Sequence, residues 1–142
     1  MFTGEYRHAI DEKGRVAVPI RFRAALDGGA LVTRWLDACL AVFPTTAWEE
    51  LAAKVAALPL ADAGARNFSR FVFSGAFEVD LDRQGRFVVP ASLREWATLE
   101  AEAVVVGARD HVEIWAPPRW ATYSAEMNSP DSLAARLDGL GI

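Results

Sequence analysis

Two short stretches hold the residues best suited to chemistry, Asp11-Glu12-Lys13-Gly14-Arg15 and Asp82-Arg83-Gln84-Gly85-Arg86. An aspartate can bond the backbone two residues further on, and a glycine permits positive φ, so each stretch predicts a tight turn. Such a turn pushes Lys13 or Arg83 to its tip and brings Arg15 or Arg86 out at the base of the next strand. Arginine carries five donors in a planar fork, matched to phosphate oxygens and to the O6/N7 edge of guanine. The plainer reading is that Arg15 only pairs with Asp11 across the turn, as exposed ion pairs commonly do. One motif alone would favour that reading. Two copies with the same spacing favour binding.

Catalysis finds no comparable support. There is no Walker loop, no HExxH and no GxSxG, and the one GxG, at Gly139 and Gly141, closes the chain. Carboxylates are numerous, but nothing singles out an acid/base pair. His8 sits beside the first turn, yet its counterpart in the second is Val79, which favours a half-buried, hydrogen-bonded side chain over a catalytic one. His111, at the start of a predicted strand, reads as a turn residue. Cys39, the single cysteine, forbids an internal disulfide or a cysteine-based zinc cage and reads as a small core side chain. The expectation is no enzyme, no cofactor and no metal site.

The net charge of −4 argues at first sight against nucleic acid. That average conceals a split. Asp11 to Arg23 carries Lys13, Arg15, Arg21 and Arg23 against Asp11 and Glu12, and Asp82 to Arg94 carries Arg83, Arg86 and Arg94 against Asp82 alone. Two basic segments therefore sit on a strongly acidic remainder, and a local patch can steer a polyanion whatever the total. With 52% hydrophobic residues and 5 Trp, 2 Tyr and 8 Phe, the chain can bury a core. Its longest uncharged run, Ala38 to Trp48, is too short for a helical membrane span, and Glu5 and Arg7 interrupt the place of a signal peptide. A soluble cytosolic protein is expected.

The two basic segments are copies. A shift of 71 positions superposes Phe2 on Phe73, Gly4 on Gly75, Asp11 on Asp82, Gly14 on Gly85, Arg15 on Arg86, Val18 on Val89, Pro19 on Pro90 and Arg23 on Arg94. A shift of 72 further on brings Val42 to Ile114, Phe43 to Trp115 and Trp48 to Trp120. Two copies are too few for a solenoid and point to halves closing about a pseudo-twofold axis. In each half, alternation predicts a strand (Tyr6 to Ile10; Phe77 to Leu81), then the turn, then a second strand ending at Pro19 or Pro90. A short helix follows (Ile20 to Leu26; Ala91 to Ala97), then strands at Ala30 to Thr33 and Leu40 to Phe43, matched by Ala103 to Val106 and Val112 to Trp115. Thr46-Ala47-Trp48-Glu49 reads as a capping box opening a helix that Pro59 stops, and Pro117-Pro118 opens its counterpart. Asp62 to Val72 reads as a linking helix. The tail from Ser129 has Leu133, Leu137, Leu140 and Ile142 free to dock.

These residues resemble a known family. Met1-Phe2-Thr3-Gly4-Glu5-Tyr6, the Asp11 to Arg15 motif running to Pro19 and Phe22, Phe73-Ser74-Gly75-Ala76, the Asp82 to Arg86 motif running to Pro90, and Glu113-Ile114-Trp115 with Trp120 are similar to the MraZ family of bacterial regulators. The resemblance covers residues 1 to 125. It implies an α+β fold, a tandem SpoVT-AbrB-type, swapped-hairpin-like β-barrel built from two pseudo-twofold repeats with short flanking helices. The repeats fall at 5–47 and 76–119, with linking helices at 48–75 and a C-terminal tail at 128–142. It also implies a ring-shaped homo-oligomer, association with the nucleoid, and binding of double-stranded promoter DNA at direct repeats, controlling the cell division and wall gene cluster and its own promoter. The family's DNA-contacting motif, Asp-x-x-x-Arg, maps onto Asp11 to Arg15 and Asp82 to Arg86; with the neighbouring basic residues, the expected DNA-binding set is Lys13, Arg15, Arg21, Arg23, Arg83 and Arg86, with Asp11, Gly14, Asp82 and Gly85 shaping the turns. Gln84 replaces Lys13 and Ser92 replaces Arg21 in the second copy, so the two loops need not bind equally. The alternative is an oligomeric protein-interaction module in which the arginines are structural ion pairs.

Overall fold

The computed structural model describes residues 1–142. In chain order it contains β1 (Glu5–Ala9), β2 (Arg15–Ala17), α1 (Ile20–Leu26), β3 (Ala30–Arg34), β4 (Leu40–Pro44), α2 (Thr45–Ala56), α3 (Ala63–Ser74), β5 (Phe77–Val79), β6 (Arg86–Val88), α4 (Ala91–Ala97), β7 (Glu102–Gly107), β8 (Val112–Trp115), α5 (Pro117–Met127) and α6 (Pro130–Arg136). The short helices α1 and α4 match the sequence reading in both bounds. Pro19 and Pro90 stand as their N-caps with φ preset near the helical value. Asp27 and the left-handed Thr98 close them.

Strands pair within each half, β3 with β4 and β7 with β8, and the remaining ladders cross between the halves. All eight are antiparallel, in a six-stranded sheet of order β1-β7-β8-β4-β3-β5 and a separate two-stranded ribbon of β2 and β6. β1 of the first half lies on β7 of the second, and β5 of the second lies on β3 of the first. Two pairings mark the pseudo-twofold axis. Val16 faces Phe87 at the middle of the ribbon, and Ala41 faces Glu113 at the middle of the sheet; each pair consists of repeat counterparts. The axis therefore runs through both layers. The pairing order is open, from β1 at one edge to β5 at the other.

Period-2 alternation divides the sheet between two packed layers. Ala30, Val32, Leu40, Val42, Ala103, Val105, Val112 and Ile114 face a core completed by Val16 and Phe87 of the ribbon and by Phe22, Leu26, Leu93 and Ala97 of α1 and α4. On the other face, Ala41 and Phe43 meet Trp48 of α2 and Val72 of α3, while Val104 and Trp115 meet Trp120 of α5. Buried Thr33 donates to the Val72 carbonyl at 2.8 Å, tying α3 to the same face. The ribbon thus lies on the opposite side of the sheet from the long helices.

Four sequence expectations need correction. The capping box at Thr46 does not form: α2 begins at Thr45 after Pro44, without a side-chain cap, and the Thr45 hydroxyl donates instead to the Gly29 carbonyl. Pro44 already presets the first turn, so the hydroxyl is not required there. The helix also ends at Ala56, before Leu58 and Pro59. The strand expected from Phe77 to Leu81 stops at Val79, where its three pairings with β3 end. The turn at Asp11 does not join two strands of one ladder, because apart from the Ile10 bridge to Val16, β1 and β2 belong to different sheets. No helix is long and apolar enough to cross a membrane. Asp62 caps α3, accepting from the Gly64 and Ala65 amides.

Candidate nucleic-acid interface

The two turns are built alike. Oδ1 of Asp11 accepts from the amides of Lys13 (3.0 Å) and Arg15 (2.9 Å), while Oδ2 accepts from Arg15 Nε at 2.6 Å. Asp82 repeats this with the amides of Gln84 and Arg86, both at 2.9 Å, and with Arg86 Nε at 3.1 Å. The amides of Gly14 and Gly85 bond the aspartate carbonyls, and both glycines hold left-handed φ, 76° and 72°. The amide of Arg15, with the Arg15 side chain and the Lys13 amide, holds the Asp11 carboxyl below its ordinary value against the opposing effect of burial. The Arg86 and Gln84 amides and the Arg86 side chain do the same for Asp82. Both aspartates are therefore anions at neutral pH, and each fixes one edge of its arginine.

Ribbon register then places both arginines on one face. Arg15 lies opposite Val88 and Ala17 opposite Arg86, so these four share the outer surface while Val16 and Phe87 point into the core. Arg15 and Arg86 stand diagonally across the pseudo-twofold axis. Arg86 Nη1 also lies 3.9 Å from Asp11 Oδ2, which links the two copies. The ion-pair hydrogen bonds use Nε, so the plainer reading of these arginines and the binding reading are compatible: the aspartate holds the Nε edge, and the Nη donors make no hydrogen bond within the chain. Exposed Lys13 and Arg83 stand in the turns at the two ends of the ribbon.

The remaining basic residues differ between halves. Arg21, exposed on α1, donates to the Tyr6 hydroxyl at 3.1 Å, a pair that Ser92 and Phe77 cannot repeat. Arg23 is half-buried, and its Nε donates to the Val18 carbonyl at 3.0 Å. Burial, with the neighbouring Arg23 charge, holds half-buried His8 below its ordinary value. Two features had little signal in the sequence. His111 is no simple turn residue: its ring stacks on Phe43 with centroids 5.0 Å apart, Nδ1 lies 2.8 Å from Asp110 and Nε2 lies 3.1 Å from Glu113. Burial pushes its pKa down, but the two carboxylates outweigh that and hold it above the ordinary value. Arg94 is the other, and its signal was its alignment with Arg23. Cys39 is buried, with its thiol pushed far up by burial.

These features define a class: a single-chain α+β protein with two interleaved copies of one unit, presenting a two-stranded cationic ribbon on its pseudo-twofold axis. The family model described as "MraZ protein, putative antitoxin-like" matches the chain twice, over residues 1–71 and 72–139. The chain belongs to the MraZ family. It is 48% identical over 136 residues to the transcriptional regulator MraZ of Roseiflexus sp. (strain RS-1), covering 96% of this chain and 95% of that one. It is 50% identical over 143 residues to the protein of the same name from Desulfitobacterium hafniense (strain DSM 10664 / DCB-2), covering both in full. To that of Thermomicrobium roseum it is 48% identical over 139 residues, covering 96% of this chain and 97% of the relative.

Proposed function

We propose that this protein is a sequence-specific DNA-binding transcriptional regulator that reads duplex DNA with the outer face of the β2/β6 ribbon. The observation that carries this reading is the diagonal pair Arg15 and Arg86 on that face, each anchored by Nε to an aspartate. A two-stranded ribbon fits the B-DNA major groove, and an arginine fork can take guanine O6 and N7 together. Lys13, Arg21 and Arg83 supply phosphate contacts from the turns and from α1. The names of the relatives agree with such a role.

The crossed strand pairing supports a tandem SpoVT-AbrB-type arrangement, with repeats at 5–47 and 76–119 closing into a barrel-like core, a linking region at 48–75 and a tail at 128–142. The protein acts in the cytoplasm at the nucleoid, as a ring-shaped homo-oligomer on short direct repeats in its own promoter and that of the division and cell wall cluster. Exposed apolar groups on the tail, Leu133 at 46%, Leu140 at 64% and Ile142 at 94%, support contact between copies. Because the pseudo-twofold lies within one chain and its halves differ, each subunit offers one stronger reading loop. A ring then meets boxes repeated in the same sense about one helical turn apart, 10–10.5 bp. Inserting roughly 5 bp between boxes turns the second to the far side of the duplex. Affinity should fall toward that of a single box, because the effective concentration of linked sites is lost. Undiminished binding in a gel shift would rule out ring-on-repeats geometry.

The 2.6 Å bond between Arg15 and Asp11 favours one second reading, an oligomeric interaction module in which the arginines only brace the turns. Loss of DNA binding in a folded Arg15→Ala variant separates the two.

A further inference from the structure

Each short helix sends one arginine across the pseudo-twofold axis onto the other half's turn. Arg23 of α1 lies over Gly85, and Arg94 of α4 lies over Gly14; a Cβ on either buried glycine would overlap the guanidinium above it. The backbone crosses in the same places. The Val18 amide donates to the Gly85 carbonyl and the Val89 amide to the Gly14 carbonyl, both at 2.8 Å. Arg23 Nε is held by the Val18 carbonyl, beside one of these crossing bonds. The ion pairs of this region join Arg15 and Arg86 to Asp11 and Asp82, and none involves Arg23 or Arg94. Neither arginine is thus held by a carboxylate, and each packs instead on the glycine that gives the opposite turn its left-handed bend.

We propose that Arg94 is the positioning residue for the Asp11 to Arg15 loop, and Arg23 for the Asp82 to Arg86 loop. This rests on the reading of those loops as the DNA-contacting elements. Each arginine acts through the glycine below it. A guanidinium lying on Gly14 closes the space into which the turn could collapse, and so fixes the direction in which Arg15 leaves the ribbon. The stronger loop, the one with Lys13 and with Arg21 nearby, is therefore controlled from the second half of the chain. Arg23, counted by its position among the DNA-binding residues, serves the weaker loop instead.

Amide hydrogen exchange by NMR on the free protein, together with DNA affinity, tests the crossing in Arg94→Ala, Arg94→Lys and Arg23→Ala. In Arg94→Ala, the Gly14, Arg15 and Val89 amides should exchange faster while those of Gly85, Arg86 and Val18 stay as they were; Arg23→Ala should give the mirror pattern. DNA affinity should fall roughly tenfold in Arg94→Ala, within the range of one lost bidentate contact, and less in Arg23→Ala. Arg94→Lys, which keeps a long cationic side chain but not the guanidinium that lies over Gly14, should recover only part of the exchange protection. Faster exchange in the variant's own half, or equally in both, overturns the proposal. So does the crossed pattern with unaltered affinity; Arg15→Ala measured alongside then tells whether the positioning or the DNA reading has failed.

Discussion

Arg15→Ala should lower affinity for specific DNA by about 1–3 kcal/mol for each engaged loop while leaving the fold intact. Arg15 enters the ribbon opposite Val88 with its Nε fixed by Asp11, so truncation removes Nη donors that make no hydrogen bond within the chain. In a ring of linked loops the loss multiplies, and binding near physiological salt should become undetectable against competitor DNA. Stability should barely change, because Arg15 and Asp11 keep about a third of their side-chain surface exposed and such pairs are screened. Arg86→Ala should cost less: its turn has Gln84 in place of Lys13, and Ser92 and Phe77 in place of the Arg21 and Tyr6 pair. Fluorescence anisotropy with a parallel thermal melt decides between outcomes. Normal binding by Arg15→Ala, or a loss explained by early melting, would remove this arginine from the interface.

Phe22→Ala should cost about 3–5 kcal/mol of stability, a large part of the roughly 5–15 kcal/mol typical of a native domain. Phe22 is buried in α1, and its ring meets Phe2 at 5.1 Å and Tyr6 at 5.5 Å, both edge to face. Tyr6 belongs to β1, whose ladder runs on β7 of the other half, so the cavity would open where the halves interleave. The counterpart, Leu93, carries no ring to pair edge to face, and Phe73, the counterpart of Phe2, packs on Trp48 of α2 instead. Leu93→Ala should accordingly cost less, about 2–5 kcal/mol for a buried leucine. Urea unfolding measures both. Equal midpoints for the two variants would mean that the aromatic cluster adds nothing beyond apolar volume.

Local features of the fold were legible because they depend on neighbours in sequence. Tyr6 and His8 alternate with exposed residues, Pro19 and Pro90 set helix starts, and the Asp-to-Gly spacing predicts a turn. Two copies at one shift also predicted a pseudo-twofold axis, and the facing of Val16 with Phe87 places it. The destination of each strand was not legible: nothing near Tyr6 indicates that its partner is Val105 rather than a residue of its own half. For the same reason the sequence grouped Arg23 with Arg15, although its guanidinium lies over Gly85 in the other half. His111 does stand in the turn before β8, but its stacking on Phe43 was not legible, because Phe43 meets it only after β4 and β8 pair.

The central claim is that the ribbon arginines read a specific duplex on a chain whose net charge is −4. Its most direct test is the affinity of the purified protein for its own upstream DNA and for a scrambled duplex, measured across a series of salt concentrations. Phosphate neutralisation by the ribbon and its turns predicts a log–log slope of about −0.9 for each phosphate contacted. Preference for the upstream duplex should persist at every salt concentration. Affinity that does not change with salt, or that is equal for both duplexes, would contradict the account.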